Sequence, residues 1–173
     1  MEQKVSTPVQ KGLIISLILI VFGLVLYFTN QYMNKSLSYI QYAILLGGII
    51  WSCNSYAKQM NSNVTFGNVF SHGFKTTAFI AALMAVYTVL SVKFIFPEMT
   101  DKIMDSARQE MQKNDQLSDE QINQAVEMTK KFFIPFAVGA IIIMFAIVGA
   151  IGSLIGAATA KKNPQDPFAQ PQM

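Results

Sequence analysis

The sequence predicts an all-α integral membrane fold: four transmembrane helices, with an extramembrane helical hairpin between helices 3 and 4. Three observations carry that prediction. Hydrophobic residues make up 52% of the chain and charged residues 13%, whereas soluble domains carry about 25% charged residues. The charges fall in short clusters separated by four long uncharged runs, Gly12–Asn34, Ser36–Ala57, Thr76–Val92 and Phe132–Ala160. Between the third and fourth runs lies a segment, residues 93–131, that holds eight of the ten acidic residues.

A helix rises about 1.5 Å per residue, so roughly 20 residues cross ~30 Å of hydrocarbon. Spans are therefore expected at about 12–33, 37–57, 76–96 and 132–160, with 1–11 and 163–173 as an amino-terminal and a disordered carboxyl-terminal tail. Between Leu13 and Phe28, thirteen residues are Leu, Ile, Val or Phe, each favouring insertion by roughly 0.3–0.6 kcal/mol. A soluble bundle needs polar outer faces, and these segments have almost nothing to supply them. Lys4 and Lys11 precede the first apolar core as in a signal peptide, but no small-x-small site follows it, so it reads as a retained anchor.

Four spans put both termini on one side. Lysine and arginine counts, six against seven, do not choose that side. The 93–131 segment is net acidic while the opposite side is net basic, so the expectation is cytoplasmic termini and a periplasmic arm in the cell inner membrane. Cys53, the one cysteine, permits no internal disulfide. A pI near 9.0 and a net charge of +3 point to a membrane surface; no basic cluster is dense enough for nucleic acid.

Span three ends in Phe94-Ile95-Phe96-Pro97, where proline should break or redirect the helix. Glu98–Lys113 then reads as a helix with Met99, Ile103, Ala107 and Met111 on one stripe. Asn114-Asp115-Gln116 supplies turn chemistry. Ser118 is placed as an N-cap with Gln121 completing a capping box, and Leu117 with Ile122 forms a staple. From there Ile122, Val126, Thr129 and Phe133 run into span four without a stop signal, with Pro135 expected to kink the helix. The 97–131 hairpin is either a docking surface or a connector whose two stripes cover each other.

Span four carries small residues at helical spacing: Gly152 and Gly156 as G-x-x-x-G, with Gly149, Ser153 and Ala157 beside them. Small residues let helix backbones approach in lipid. The seam would serve a homodimer or the chain's own spans, with Gly23 and Gly47-Gly48 as natural partners. No acidic or basic side chain sits at a clear midplane position, which counts against ion-coupled transport.

His72 is the sole histidine. With no second histidine and no acid in its loop, a metal site lacks ligands, and a general base lacks a nucleophile with an orienting group. No cofactor is expected. Phe66, Phe70 and Phe74 recur every four residues, so helix three should begin near Thr65 with its first turns at the membrane interface, where aromatic rings are favoured.

The segment Thr65-Phe66-Gly67-Asn68-Val69-Phe70-Ser71-His72-Gly73-Phe74, preceded by Tyr56-x-Lys58, resembles a family of small bacterial membrane proteins, found chiefly in Bacteroidota, known as domain of unknown function 4199. The resemblance covers about residues 8–162 and rests on Phe66, Gly67, Phe70, Gly73 and Phe74. It implies a multi-pass inner-membrane protein without a defined catalytic residue, and an association with a membrane glycosyltransferase and so a lipid-linked sugar pathway. The expected function is a non-enzymatic scaffold or accessory protein acting through the arm and the small-residue faces. Its partners would be membrane lipid, a membrane or periplasmic protein, and in one reading a second copy as a homodimer. The alternative is a small transporter or lipid-handling protein.

Overall fold

The structure, a computed structural model, describes residues 5–113 and 118–163, and of Lys35 the backbone alone. Among these residues the chain is helical throughout, with α1 Pro8–Phe28, α2 Lys35–Gln59, α3 Phe66–Leu90, α4 Glu98–Gln112 and α5 Asp119–Thr159, and no strand. Four of the helical stretches are long and apolar enough to cross a membrane: Pro8–Phe28, Ser36–Gln59, Phe66–Ile95 and Asp119–Thr159. That is consistent with a membrane protein.

Local chemistry sets each boundary. Thr7 caps α1: its hydroxyl accepts from Gln10 N at 3.2 Å while the Gln10 side chain accepts from Thr7 N at 3.0 Å. Proline follows at the first helical position, where its missing N–H costs nothing. The helix stops at Phe28, five residues before the expected end of span one. Asn30 takes a left-handed φ of 55°, and Gln31 N and Asn30 N close back on Leu26 O and Tyr27 O at 2.8 and 3.0 Å. That is a Schellman ending, with asparagine where glycine is most common. α2 ends the same way at Asn61 (φ 51°), through Ser62 N on Ala57 O and Asn61 N on Lys58 O. Asparagine chemistry thus cuts α1 short of its apolar run, whereas α2 runs two residues past the end expected at 57 before its asparagine stop.

Thr65 caps α3, accepting from Asn68 N at 3.2 Å. Its far end widens into a π-helical turn over Ser91–Ile95, closed by Phe96 N on Ser91 O at 2.7 Å. Pro97 stands directly before α4. Ser118 and Gln121 exchange both capping-box bonds, at 3.0 and 3.3 Å. α5 then continues as one helical stretch through Pro135. The turn at Asn114-Asp115-Gln116, the Leu117 half of the staple, Lys4 and the tail 164–173 lie outside the described residues.

The chain divides into two compact units. In the first, residues 1–83 with 144–173, Ile15, Leu19, Leu45, Ile49, Cys53, Val69, Ile80 and Ala157 form a buried core. Its outward positions are also apolar: Ile14, Ile18, Val21 and Val25 are about half exposed. The beginning of the chain, the α2–α3 connection and the end of α5 are stitched together at one end of this unit. Ser6 N donates to Gln59 Oε1 at 2.9 Å, Asn163 N donates to Ser62 O at 2.7 Å, and Lys162 Nζ donates to Ala157 O.

In the second unit, residues 84–143, Met104 is buried with Ile122 and Val126, and Ile103, Met111 and Phe133 pack around them. The buried face of α4 thus centres on Met104, one position round the helix from the expected stripe. Thr129 is exposed, its hydroxyl bonded to Ala125 O. Lys130 reaches Asp101 at 2.6 Å, with both side chains more than half exposed. The hydrogen bond and the charge of Asp101 raise the lysine above its ordinary pKa.

Candidate functional site

The small residues of α5 lie where other helices of the first unit come closest. A methyl group placed on Gly156 would stand 2.6 Å from Cys53 Cβ and 3.3 Å from Ile50 Cα of α2, and one on Gly152 would stand 3.2 Å from Ile49. On Gly149 it would overlap Thr77 of α3. Gly73 of α3 answers from the other side, 2.5 Å from Cys53 Sγ and 2.7 Å from Ser153 Oγ by the same construction. Ser153 and Ala157 are fully buried. The seam is therefore occupied within the chain by α2 and α3. The expected partners Gly23 and Gly47 have nothing within 4 Å, and Gly48 faces Ile15 of α1. Apolar sequence surrounds all these glycines alike, so composition alone did not distinguish the ones in contact.

Beside this seam the unit buries a polar ladder. Lys11, in the first turns of α1, is 2% exposed, and its ammonium donates to Ser52 O at 3.3 Å. It also lies 5.8 Å from the centre of the Tyr56 ring, a cation–π distance. Tyr56 also stacks on His72, with centroids 4.2 Å apart and planes 10° from parallel. Thr76 donates its hydroxyl to His72 O at 2.8 Å, so Ser52 Oγ, 3.3 Å away, is the donor in the Ser52–Thr76 bond. His72 is 5% exposed, and its Nε2 has no hydrogen-bond partner among the described residues.

Against this ladder lies a cavity of about 390 Å³, lined by Pro8, Tyr56, Gly67, Asn68, Ser71, His72 and Lys75. Pro8 opens α1, and Gly67 and Asn68 belong to the first turn of α3. The helix dipole makes such ends positive, although proline has no N–H and Asn68 N is already taken by Thr65. Lys75 adds a full charge. The described residues of this unit include no aspartate or glutamate, so none of them pairs Lys11 or Lys75 with a carboxylate. Among the described residues no three His, Cys, Asp or Glu side chains gather as they would around a metal ion.

The aromatic residues at 66, 70 and 74 form a ladder on the same turns. Phe66 and Phe70 stack at 6.4 Å, Phe70 and Phe74 at 6.0 Å, and Phe66 and Phe74 stay 44% exposed. Lys162 lies 5.8 Å over the Phe66 ring. Sequence reasoning placed His72 and the aromatic stripe but missed the rest. The sequence alone puts Lys11 in the tail and gives Tyr56, Asn68, Ser71 and Lys75 no shared site. The available signal was the i, i+4, i+8 phase of Lys11, Ile15 and Leu19. In a span apolar on every side, no polar face marks which phase points inward.

Neither a curated protein nor a solved structure matches this chain. A family model does match, and it covers residues 10–162, the spans, the interfacial segment and the polar ladder alike. The chain belongs to the family described as protein of unknown function DUF4199.

Proposed function

We propose that the chain is a four-span inner-membrane protein and acts as a non-enzymatic scaffold or accessory subunit through an arm formed by residues 97–131. In this reading the termini and the α2–α3 connection face the cytoplasm. The arm stands in the periplasm as an antiparallel hairpin of α4 and the outer turns of α5. The supporting observation is that α4 and α5 bury Met104, Ile122 and Val126 together outside the apolar runs, with Asp101 paired to Lys130 across them. An element with its own small core and an acidic exterior is longer than a connector needs.

The test is site-directed crosslinking in native membranes from Glu110→Cys and Gln124→Cys, both exposed arm positions. The scaffold reading expects a discrete adduct from at least one of them. Two reactive cysteines that give no adduct would remove its support.

A second reading, lipid handling, is favoured by an apolar groove of about 410 Å³ lined by Leu17, Ile18, Val21, Phe22, Val25 and Ile44. All six lining residues are apolar, which suits an acyl chain and nothing charged. A photoreactive lipid that labels α1 in wild type but not after Val21→Trp would support it; unchanged labelling would count against it.

A further inference from the structure

Lys11 poses an electrostatic problem. A buried ammonium is costly unless an anion or several hydrogen bonds compensate for the lost water. Here it has one carbonyl and the face of Tyr56, and the nearest described acid in the sequence is Glu98, in the other unit. Lys75, also with no acid among the described residues of its unit, lines the adjoining cavity. His72 lines the same cavity, and its Nε2 has no hydrogen-bond partner among the described residues.

The amino-terminal turns of α1 and α3 meet the cavity at Pro8 and at Gly67–Asn68. Thr7 and Thr65 already take Gln10 N and Asn68 N, so these ends contribute the positive pole of the helix dipole more than free N–H groups. Asn68 and Ser71 add neutral hydrogen-bonding groups. A cation would find no carboxylate here. A neutral ligand would leave the accumulated positive potential unanswered. A phosphate group meets each feature, because helix N-termini and lysines are standard hosts for it. The volume of about 390 Å³ lies at the lower end of the ~300–1,000 Å³ typical of ligand cavities.

The Phe66–Phe70–Phe74 ladder on the same turns of α3 suggests where the phosphate comes from. Exposed aromatic rings settle at headgroup depth, which brings the cavity level with lipid phosphates. We propose that the cavity bounded by Asn68, Ser71, His72 and Lys75 binds a phosphate ester, supplied by the headgroup of an anionic membrane lipid. The choice of source rests on the four-span reading; the phosphate chemistry does not.

The full chain, purified in a maltoside detergent, tests this by native mass spectrometry and thermal melting with added phosphatidylglycerol, phosphatidylcholine or inorganic phosphate. Wild type should retain phosphatidylglycerol over phosphatidylcholine and melt higher with it. Lys75→Gln, at an exposed position that leaves the core intact, should weaken retention roughly tenfold or more, the loss expected for one charge-assisted hydrogen bond. Lys58→Gln, an exposed lysine not lining the cavity, should not. Saturable binding of inorganic phosphate that Lys75→Gln abolishes would keep the site and change the source to a soluble ester. Absence of binding by either probe, or equal weakening by the two lysine variants, would overturn the proposal. Extraction of the protein from membranes by alkaline carbonate would instead defeat the four-span reading, and phosphate binding in detergent would still be measured independently.

Discussion

Gly149 of α5 and Thr77 of α3 lie in direct backbone-to-side-chain contact, with no room between them for a single methyl group. Thr77 is itself fixed there, since its hydroxyl donates to Gly73 O at 3.0 Å. Gly149→Ala must therefore separate the helices or turn the threonine out of its bond. Overpacking of that kind costs about 1–3 kcal/mol, and a lowered melting temperature in detergent should report it. Gly73→Ala and Gly156→Ala should behave alike. Gly23→Ala and Gly139→Ala, with open space at the added carbon, should leave the melting temperature unchanged or raise it.

Lys11→Met should separate stability from binding. The substitution keeps the length of the side chain and removes a desolvated charge. Replacing buried ionic groups by apolar ones is often neutral or stabilising by about 1–4 kcal/mol. Melting should therefore hold or rise without lipid, while the extra stabilisation by phosphatidylglycerol shrinks. A clear loss of stability in the lipid-free protein would mean that the ammonium is better compensated than Ser52 O and Tyr56 allow.

The Tyr56–His72 stack predicts energetic coupling across α2 and α3. A double-mutant cycle with Tyr56→Leu and His72→Leu should show an interaction of about 0.5–1.5 kcal/mol, the range for stacked rings beyond their buried area. Additive effects would show that the parallel rings are neighbours without mutual stabilisation.

The arm should unravel locally when its core is cut. Met104→Ala removes the most buried contact of α4 and should cost about 2–5 kcal/mol, seen as faster hydrogen exchange over 98–112 and 119–130. Ser118→Ala loses the cap and should cost about 1 kcal/mol, with faster exchange confined to the first turn of α5. Exchange unchanged by Met104→Ala would contradict a shared arm core.

How far the sequence reaches can be judged residue by residue. The four long apolar helices were legible because uncharged runs of that length stand out in the sequence, and the Ser118–Gln121 cap because its chemistry is local. The end of α1 was not, since the left-handed turn at Asn30 stops the helix five residues before the end that hydropathy alone would give it. The small residues of α5 announced a close approach, but not that Cys53, Ile49 and Thr77 would be the surfaces approached. The polar ladder was the least legible part. Lys11, Tyr56 and His72 are separated by long stretches of chain, and their meeting depends on how three almost uniformly apolar helices rotate.

Single-cysteine labelling in intact cells tests the four-span arrangement most directly. With Cys53→Ser as background, Lys58→Cys, Glu110→Cys and Lys161→Cys would be exposed to a membrane-impermeant maleimide before and after permeabilisation. The account predicts that Glu110→Cys reacts in intact cells and that Lys58→Cys and Lys161→Cys react only once the membrane is opened. Reaction of Lys58→Cys and Lys161→Cys from different sides, or of Glu110→Cys from the side they share, would contradict it.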